Sequence, residues 1–297
     1  MPLPPAETTA RTDTAASTVL RAGLIGRGIG LSRTPAMHEA EGRTQGLDYR
    51  YCLFDMDEPA LAGRSLAEVV AAAEAEGFAG LNVTYPFKVE VLGLLDTLSD
   101  NARAVGAVNT VVFRDGRRSG HNTDLWGFAE SFRRGMAGAA LDRVLLLGAG
   151  GAGAAVAHAL LSLGTEQLSI FDTDAARAAQ LSEALAVRFG AGRARAAESP
   201  ESVAPSLSGV VNATPVGMAK LPGTPFPPAL LRRGLWVADI VYFPLETRLL
   251  AAARAAGCRV LPGLGMAVFQ AVRAYELFTG LKPDPARMRR TFESLGP

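Results

Sequence analysis

Apolar residues fall in short runs that close on Gly, Asn or Asp, and stretches with helical spacing separate most of them. Such alternation predicts strands and helices in turn, with parallel strands buried on both faces. The clearest run, Arg143-Val144-Leu145-Leu146-Leu147, enters Gly148-Ala149-Gly150-Gly151-Ala152-Gly153, after which a small-residue helix begins at Ala154. Leu168–Phe171 and Leu235–Tyr242 are further strand candidates, Gly209–Met218 reads as a buried strand breaking into a Pro/Gly loop, Cys258–Gly263 reads as the last strand, and a helix is expected from Ala175 to about Gly190. Together they predict a doubly wound parallel sheet from about Trp126 to Pro262.

Upstream, the pattern predicts a strand at Arg21–Gly26, a strand at Tyr49–Phe54 and an Ala-rich helix from about Arg64 to Glu76. The apolar stretch from Phe78 delivers Asn82, Thr84 and Lys88 at a strand-to-helix turn. Pro86 suits the start of that helix, which would put Lys88 in its first turn, against the helix dipole. A strand entrance follows at Ala104–Phe113. Asp115-Gly116 marks a hairpin turn, and the returning strand ends in Gly120-His121-Asn122-Thr123-Asp124. A helix through Trp126, Phe128 and Phe132 has the spacing of a buried face. A helix from Gly265 to Thr279 and a short polar one end the chain.

Composition narrows the class. The chain has 297 residues, 48% hydrophobic and 20% charged, enough for one large or two ordinary soluble domains. A net charge of +1 gives no electrostatic footprint for nucleic acid or an anionic membrane, and no apolar run spans a bilayer. Cys52 and Cys258 sit far apart in apolar runs and read as buried free thiols in a reducing compartment. No three of the His, Cys and acidic residues have zinc spacing, so no metal is expected. Residues 1–18 are rich in Pro, Ala and Thr and lack the apolar core of a secretory signal. They read as a disordered tail on a cytoplasmic protein.

The candidate chemistry lies in the loops. Gly148, Gly150 and Gly153 fit the G-x-G-x-x-G spacing: one permits the tight turn, one the approach of a pyrophosphate, one helix-on-strand packing. Asp172 closes the next strand, where a carboxylate accepts from an adenosine ribose. Ser32 and Thr34 precede a helix begun by Pro35; either Thr34 is its N-cap or both hydroxyls hold a ligand. Lys88 is either a solvated surface cation or a site residue, since its place violates the dipole rule. Asp124, near a helix start, is equally consistent with a dipole-favoured acid. Gln270 is a lone amide in an apolar stretch, either a core hydrogen bond or a ligand contact. His38, His121 and His158 are assigned no role.

Seven motifs in order then resemble one family. They are Leu31-Ser32-Arg33-Thr34-Pro35, Asn82-Val83-Thr84-Tyr85-Pro86-Phe87-Lys88, Gly106-Ala107-Val108-Asn109-Thr110, Asn122-Thr123-Asp124, the glycine loop, Asn212-Ala213-Thr214-Pro215-Val216-Gly217-Met218, and Gly263-Leu264-Gly265-Met266 with Gln270. The chain resembles the shikimate dehydrogenases, and more closely their quinate/shikimate branch, over nearly everything after residue 18. The resemblance implies a two-domain α/β architecture. Residues 19–125 would be an N-terminal substrate domain, 126–262 a Rossmann-type dinucleotide domain, and 263–297 helices returning to the first domain. It implies Lys88 and Asp124 as the catalytic pair. Ser32, Thr34 and Tyr242 would hold the substrate carboxylate; Asn82, Thr84, Asn109 and Gln270 would hold ring hydroxyls. Gly148, Ala149, Gly150, Gly151, Ala152, Asp172, Thr214, Ile240, Gly263 and Met266 would line the coenzyme.

The implied reaction is reversible oxidation of the ring C3 hydroxyl of shikimate to 3-dehydroshikimate, or of quinate to 3-dehydroquinate. The implied partner is a small hydroxylated cyclic carboxylic acid, and the enzyme is expected as a monomer or homodimer. Two departures matter. Thr34 stands where many members have serine, in keeping with the quinate-using branch. Phe171-Asp172-Thr173-Asp174 replaces the Asn-Arg-Ser/Thr run of NADP-using relatives, so a 2′-phosphate would meet like charge and NAD is expected over NADP. The rivals are an NADP-dependent biosynthetic shikimate dehydrogenase, an aminoshikimate-type dehydrogenase and a catalytically silent dinucleotide sensor. Whether Lys88 works as general base or electrostatic stabiliser stays open at this point.

Overall fold

The computed structural model describes residues 19–295; the expected tail at 1–18 lies outside them. The first half builds one mixed sheet. Its elements are β1 (Leu20–Gly26), α1 (Thr34–Thr44), β2 (Tyr49–Asp55), α2 (Leu66–Ala75), β3 (Gly80–Val83), β4 (Thr97–Leu98), α3 (Asp100–Val105), β5 (Thr110–Arg114) and β6 (Arg117–His121). The strand order is β2-β1-β3-β5-β6-β4. The β1 strand runs parallel to β2 and β3, while β5 is antiparallel to β3 and β6. The predicted hairpin forms, with Asp115 at φ 53° and Gly116 at φ 67°, the mirror-image turn that matches strand twist. Ser65 and Glu68 form a reciprocal capping box that starts α2.

The second half begins with α4 (Thr123–Gly135) and continues through β7 (Arg143–Leu147), α5 (Gly151–Ser162), β8 (Gln167–Phe171), α6 (Ala175–Phe189), β9 (Ala194–Ala196), α7 (Pro200–Val203), β10 (Gly209–Asn212), β11 (Trp236–Asp239), α8 (Arg248–Ala255) and β12 (Arg259–Leu261). All its strands are parallel, in the order β12-β11-β10-β7-β8-β9. Strand order reverses between β7 and β10, which opens a crevice at their carboxyl ends. Helices α9 (Leu264–Thr279) and α10 (Pro285–Ser294) turn back to the first half. Met37 of α1, Leu264, Ala271 and Val272 of α9, and Met288 and Phe292 of α10 share one apolar cluster.

Several expectations shift, and the strand expected to end in residues 120–124 closes at His121, with Asn122 capping α4. The helix after Pro86 does not form: residues 85–89 make a turn, with only a short 3-10 segment at Glu90–Leu94. The β-branched Val89 and Val91 and the nearby Gly93 weaken helix propensity there, and the dipole conflict at Lys88 disappears with the helix. Thr34 is not an N-cap but the first residue of α1; the cap position is Arg33, without a side-chain cap bond. The stretch from Ala104 enters its strand only at Thr110, after α3 ends with Gly106 in the left-handed region. Cys258 is buried as expected, whereas Cys52 is partly exposed. Of the expected buried face of α4, Phe128 and Phe132 are buried, and Trp126 is partly buried against the α9 cluster.

A buried ion pair anchors the returning helices. Glu41 on α1, 0% exposed, accepts from Arg287 at 2.6 and 2.9 Å, from the Asp284 N–H at 3.0 Å and from Gln45 at 2.7 Å. Burial would raise the Glu41 carboxyl, but the Arg287 guanidinium, the Asp284 N–H and the Gln45 amide together hold it below its ordinary value. A depressed folded pKa contributes stability above the unfolded value, and that stability is lost as pH falls through the folded one. Resistance to denaturant is therefore expected to fall below about pH 4, the unfolded carboxylate range. Glu41→Gln should cost about 3 kcal/mol at neutral pH and flatten that acid limb; an unchanged acid limb would contradict this.

Candidate active site

The site assembles where β3, α4 and the loop after β11 meet. Asp124 is the second residue of α4, and two buried amides fix that helix start. Asn122 accepts from the Leu125 N–H at 3.0 Å, and the Asn109 Oδ1 accepts from the Thr123 N–H at 2.7 Å. Lys88 hangs from the turn after β3, whose carbonyl accepts from the Val108 N–H at 2.8 Å. Its Nζ donates to Asp124 Oδ2 at 2.5 Å, and the two side chains are 21% and 10% exposed. The carboxylate takes one of three ammonium donors and leaves the others for a ligand.

Beneath the pair runs a connected polar network. Tyr51 donates to Asn82 Oδ1 at 2.7 Å, Asn82 donates to Thr110 at 2.9 Å, and Asn109 donates to Thr123 at 3.0 Å. Asn82 and Asn109 are therefore buried in mutual bonds, and Tyr51, Thr110 and Thr123 belong to the same constellation. The sequence reading missed these three. Thr110 and Thr123 stand beside Asn109 and Asp124 inside the quoted motifs, which was the available signal; Tyr51 carries none. Thr84 is partly buried, with its methyl against Gly26.

The loop after β1 carries Ser32 and Thr34. Asp55 clasps it by accepting from the Gly28 and Ile29 N–H groups at 2.9 and 2.7 Å. Burial would raise the Asp55 carboxyl, but the backbone N–H groups of Asp57, Ile29 and Gly28 hold it down. Ser32 Oγ accepts from the Thr34 N–H at 3.3 Å. Between them, Arg33 stacks over Phe292 at 4.7 Å and Phe243 at 5.4 Å, so this loop touches the segment after β11. Tyr242 in that segment packs edge-on against Phe292 at 5.8 Å. Although 45% of Tyr242 is exposed, the protein around its phenol pushes the pKa up, and the Asp124 carboxylate adds to the effect. The phenol thus lies within reach of the ion pair's field. Gln270 on α9 is partly buried and donates to Ala267 O at 3.0 Å. Its helix lies tight on α4, because a Cβ on Gly127 would come within 2.8 Å of the Gln270 backbone N.

The second sheet supplies a cradle. Gly148 has φ 97°, and a Cβ there would press on Ala213 O at 2.9 Å; a Cβ on Gly153 would overlap the Gly148 carbonyl. Gly150 and Gly151, by contrast, face open space at the start of α5, which has no side-chain cap. Bare backbone, no side chains and a helix N-terminus are what a pyrophosphate needs. Asp172, partly exposed at the end of β8, is oriented by the Ala149 N–H at 2.7 Å and the Asp174 N–H at 2.9 Å. Ala149 and Ala152 belong to the glycine loop. Thr214 and Ile240 follow β10 and β11, and Gly263 and Met266 open α9. A Cβ on Gly263 would lie 2.5 Å from the Ile240 and Val241 carbonyls. All these positions line the carboxyl edge of one sheet and fit a dinucleotide. Among the described residues, no cluster of His, Cys, Asp and Glu could hold a metal.

Comparison with known proteins agrees with this geometry. Residues 24–111 match the shikimate dehydrogenase substrate binding domain, and residues 263–291 match the shikimate 5′-dehydrogenase C-terminal domain. A shikimate dehydrogenase (NADP(+)) of Streptomyces avermitilis is 56% identical, over 90% of this chain and 92% of its own. A quinate/shikimate dehydrogenase (NAD(+)) of Corynebacterium efficiens is 51% identical, over 92% of this chain and 97% of its own. The solved quinate dehydrogenase from Corynebacterium glutamicum in complex with NAD superposes with a TM-score of 0.89 at 46% identity, covering 93% of this chain and 99% of that one. The chain belongs to the shikimate dehydrogenase family, NAD(P)-binding oxidoreductases that act on a hydroxyl group.

Proposed function

We propose that the chain is an NAD-dependent quinate/shikimate dehydrogenase. It would oxidise the ring C3 hydroxyl of shikimate or quinate reversibly, with Lys88 and Asp124 as its catalytic pair. The observation that carries the coenzyme choice is the Asp172 carboxylate, held by two backbone N–H groups where an adenosine ribose would lie. A ribose diol donates to such a carboxylate, whereas a 2′-phosphate would face like charge at a cost of several kcal/mol. Arg177 is paired with Asp174 at 3.3 Å, and no described ion pair includes Asp172. Relatives bear both NAD and NADP names, so the local electrostatics of this chain carry the choice.

Bound nicotinamide supplies the hydride acceptor. The chain's own residues handle the oxygen. In oxidation the neutral Lys88 amine, oriented by Asp124, takes the hydroxyl proton, and in the reverse direction its ammonium returns that proton to the oxygen; its remaining N–H groups stabilise the charge that develops there. Ser32, Thr34 and Tyr242 would take the carboxylate. Asn82, Thr84, Asn109 and Gln270 would orient the ring, with Asn82 and Asn109 first giving up a bond of their network. A cytoplasmic monomer or homodimer belongs to the same reading, and no described helix is long and apolar enough to cross a membrane.

Steady-state kinetics with shikimate and quinate test the proposal. The kcat/KM with NAD should exceed that with NADP by about 100-fold, the equivalent of a few kcal/mol of like-charge repulsion. Asp172→Ser should erase most of that ratio. A wild-type preference for NADP would overturn the assignment.

A further inference from the structure

One buried acid lies outside the roles assigned so far. Asp239 closes β11 and is 2% exposed. Its Oδ1 accepts from Asn212 Nδ2 at 2.9 Å and from the Val241 N–H at 3.0 Å, and its Oδ2 accepts from the Thr247 hydroxyl at 2.7 Å. Asn212 is its direct neighbour in register at the end of β10. The Asn212 Oδ1 in turn accepts from both the N–H and the hydroxyl of Thr214, at 2.9 and 2.7 Å, and its Nδ2 also donates to Val216 O at 2.9 Å. Gly217, at φ 108°, lies beside this cluster: a Cβ there would sit 3.5 Å from the Thr247 side chain and 3.9 Å from Asp239 Oδ2, in ordinary contact. Thr247 caps α8 and accepts from the Leu250 N–H at 3.3 Å.

Three segments therefore end on one carboxylate: the loop with Thr214, the loop with Ile240 and Tyr242, and the start of α8. Their place in the sheet gives the contact meaning. With the adenosine end at β8 and the pyrophosphate at the glycine loop, the nicotinamide half extends to the other side of the switch point, over β10 and β11. Folding alone gives little reason to keep an acid here, since no described salt bridge includes Asp239 and a buried charge held only by neutral donors is costly. Burial accordingly pushes its carboxyl up, against the pull of Thr247, Val241 and Asn212.

We propose that Asp239 is a positioning residue for hydride transfer, locking the Thr214 loop and the Ile240–Tyr242 loop in one register so that nicotinamide and substrate carboxylate are held relative to each other. The inference rests on the coenzyme-binding reading of the second sheet but not on the choice of NAD over NADP. Its test compares Asp239→Ala and Asp239→Asn with wild type in whichever coenzyme wild type turns over faster. The binding probes are that coenzyme and its fragment without nicotinamide, ADP-ribose or 2′-phospho-ADP-ribose.

For Asp239→Ala, affinity for the whole coenzyme should fall at least tenfold and kcat at least thirtyfold, with affinity for the fragment kept within twofold. Asp239→Asn preserves acceptors for Val241 and Asn212 and should recover most of both losses. An equal loss for coenzyme and fragment would reduce Asp239 to a structural role and overturn the proposal, as would an unchanged kcat. If the alanine variant does not fold, Asp239→Ser, whose shorter side chain cannot hold Asn212 and Thr247 together, carries the test: a coenzyme loss of at least threefold with the fragment unaffected supports the proposal, and no selective loss overturns it. Fragment binding to wild type reports separately on the coenzyme reading; its absence would count against that reading rather than against the role of Asp239.

Discussion

Replacing Lys88 with Ala should lower kcat for shikimate or quinate oxidation by about 1,000-fold, the combined scale of a lost proton-handling group and a lost donor to developing charge. The substrate KM should move by less than tenfold, because the carboxylate and most ring hydroxyls are assigned to other residues. The fold should survive: Lys88 is a 21% exposed side chain on a turn, and its backbone bond to Val108 is independent of the ammonium. The variant does leave Asp124, 10% exposed, without its cation. Asp124→Asn is therefore the companion variant. It keeps a hydrogen-bond partner for Lys88 but removes the charge, and should cost kcat about 100-fold. Circular dichroism and melting curves on both variants separate a lost reaction from a lost fold. Near-normal turnover in Lys88→Ala would remove the pair from the mechanism.

The second large effect is expected at Gly153. A methyl there would overlap the Gly148 carbonyl oxygen, which is backbone and cannot rotate away. Either α5 moves off β7, or the loop changes shape. Both routes disturb the core around Val156, Leu160 and Leu146, which are fully buried. Gly153→Ala should destabilise the chain by about 2–3 kcal/mol, the scale of an overpacked core, and weaken coenzyme binding at least tenfold. Gly151→Ala is the control. Its Cβ would enter open space, so the free protein should keep its stability, and any loss should appear in coenzyme affinity alone. Denaturant titration with and without NAD reads both quantities. Equal stability of the two variants would contradict the packing account.

How much was legible in the sequence depended on the range of the interaction. The second sheet was nearly all readable, because parallel strands buried on both faces appear as continuous apolar runs and the glycine spacing marks their turn. The hairpin at Asp115-Gly116 was equally local, since only small or polar residues accept positive φ there. The turn at Lys88 was misread as a helix because Pro86 suits a helix start as well as a turn, and the weak helix propensity of Val89, Val91 and Gly93 was given no weight against it. Thr34 was misplaced by one position, the usual uncertainty at a helix boundary.

The site divides in the same way. Lys88, Asp124, Ser32, Thr34 and Asn109 belong to compact motifs, and the resemblance carried them. Tyr51, which holds Asn82 from across the sheet, and Asp239, which ties three segments together, act through contacts that only the folded register brings about. Glu41 and Arg287, 246 residues apart, could not have been paired from spacing. The proposed coenzyme preference rests on one carboxylate whose orientation, set by the Ala149 and Asp174 N–H groups, became visible only in three dimensions.

The account is tested most directly by following one hydride. Shikimate and quinate carrying deuterium on the carbon that bears the reacting hydroxyl would each be mixed with the enzyme and NAD, and the reduced coenzyme examined by mass spectrometry and NMR. Label on the nicotinamide ring, together with the 3-dehydro acid and a slowed rate relative to unlabelled substrate, is the predicted result. Binding of both ligands without label transfer from either acid, to NAD or to NADP, would contradict it.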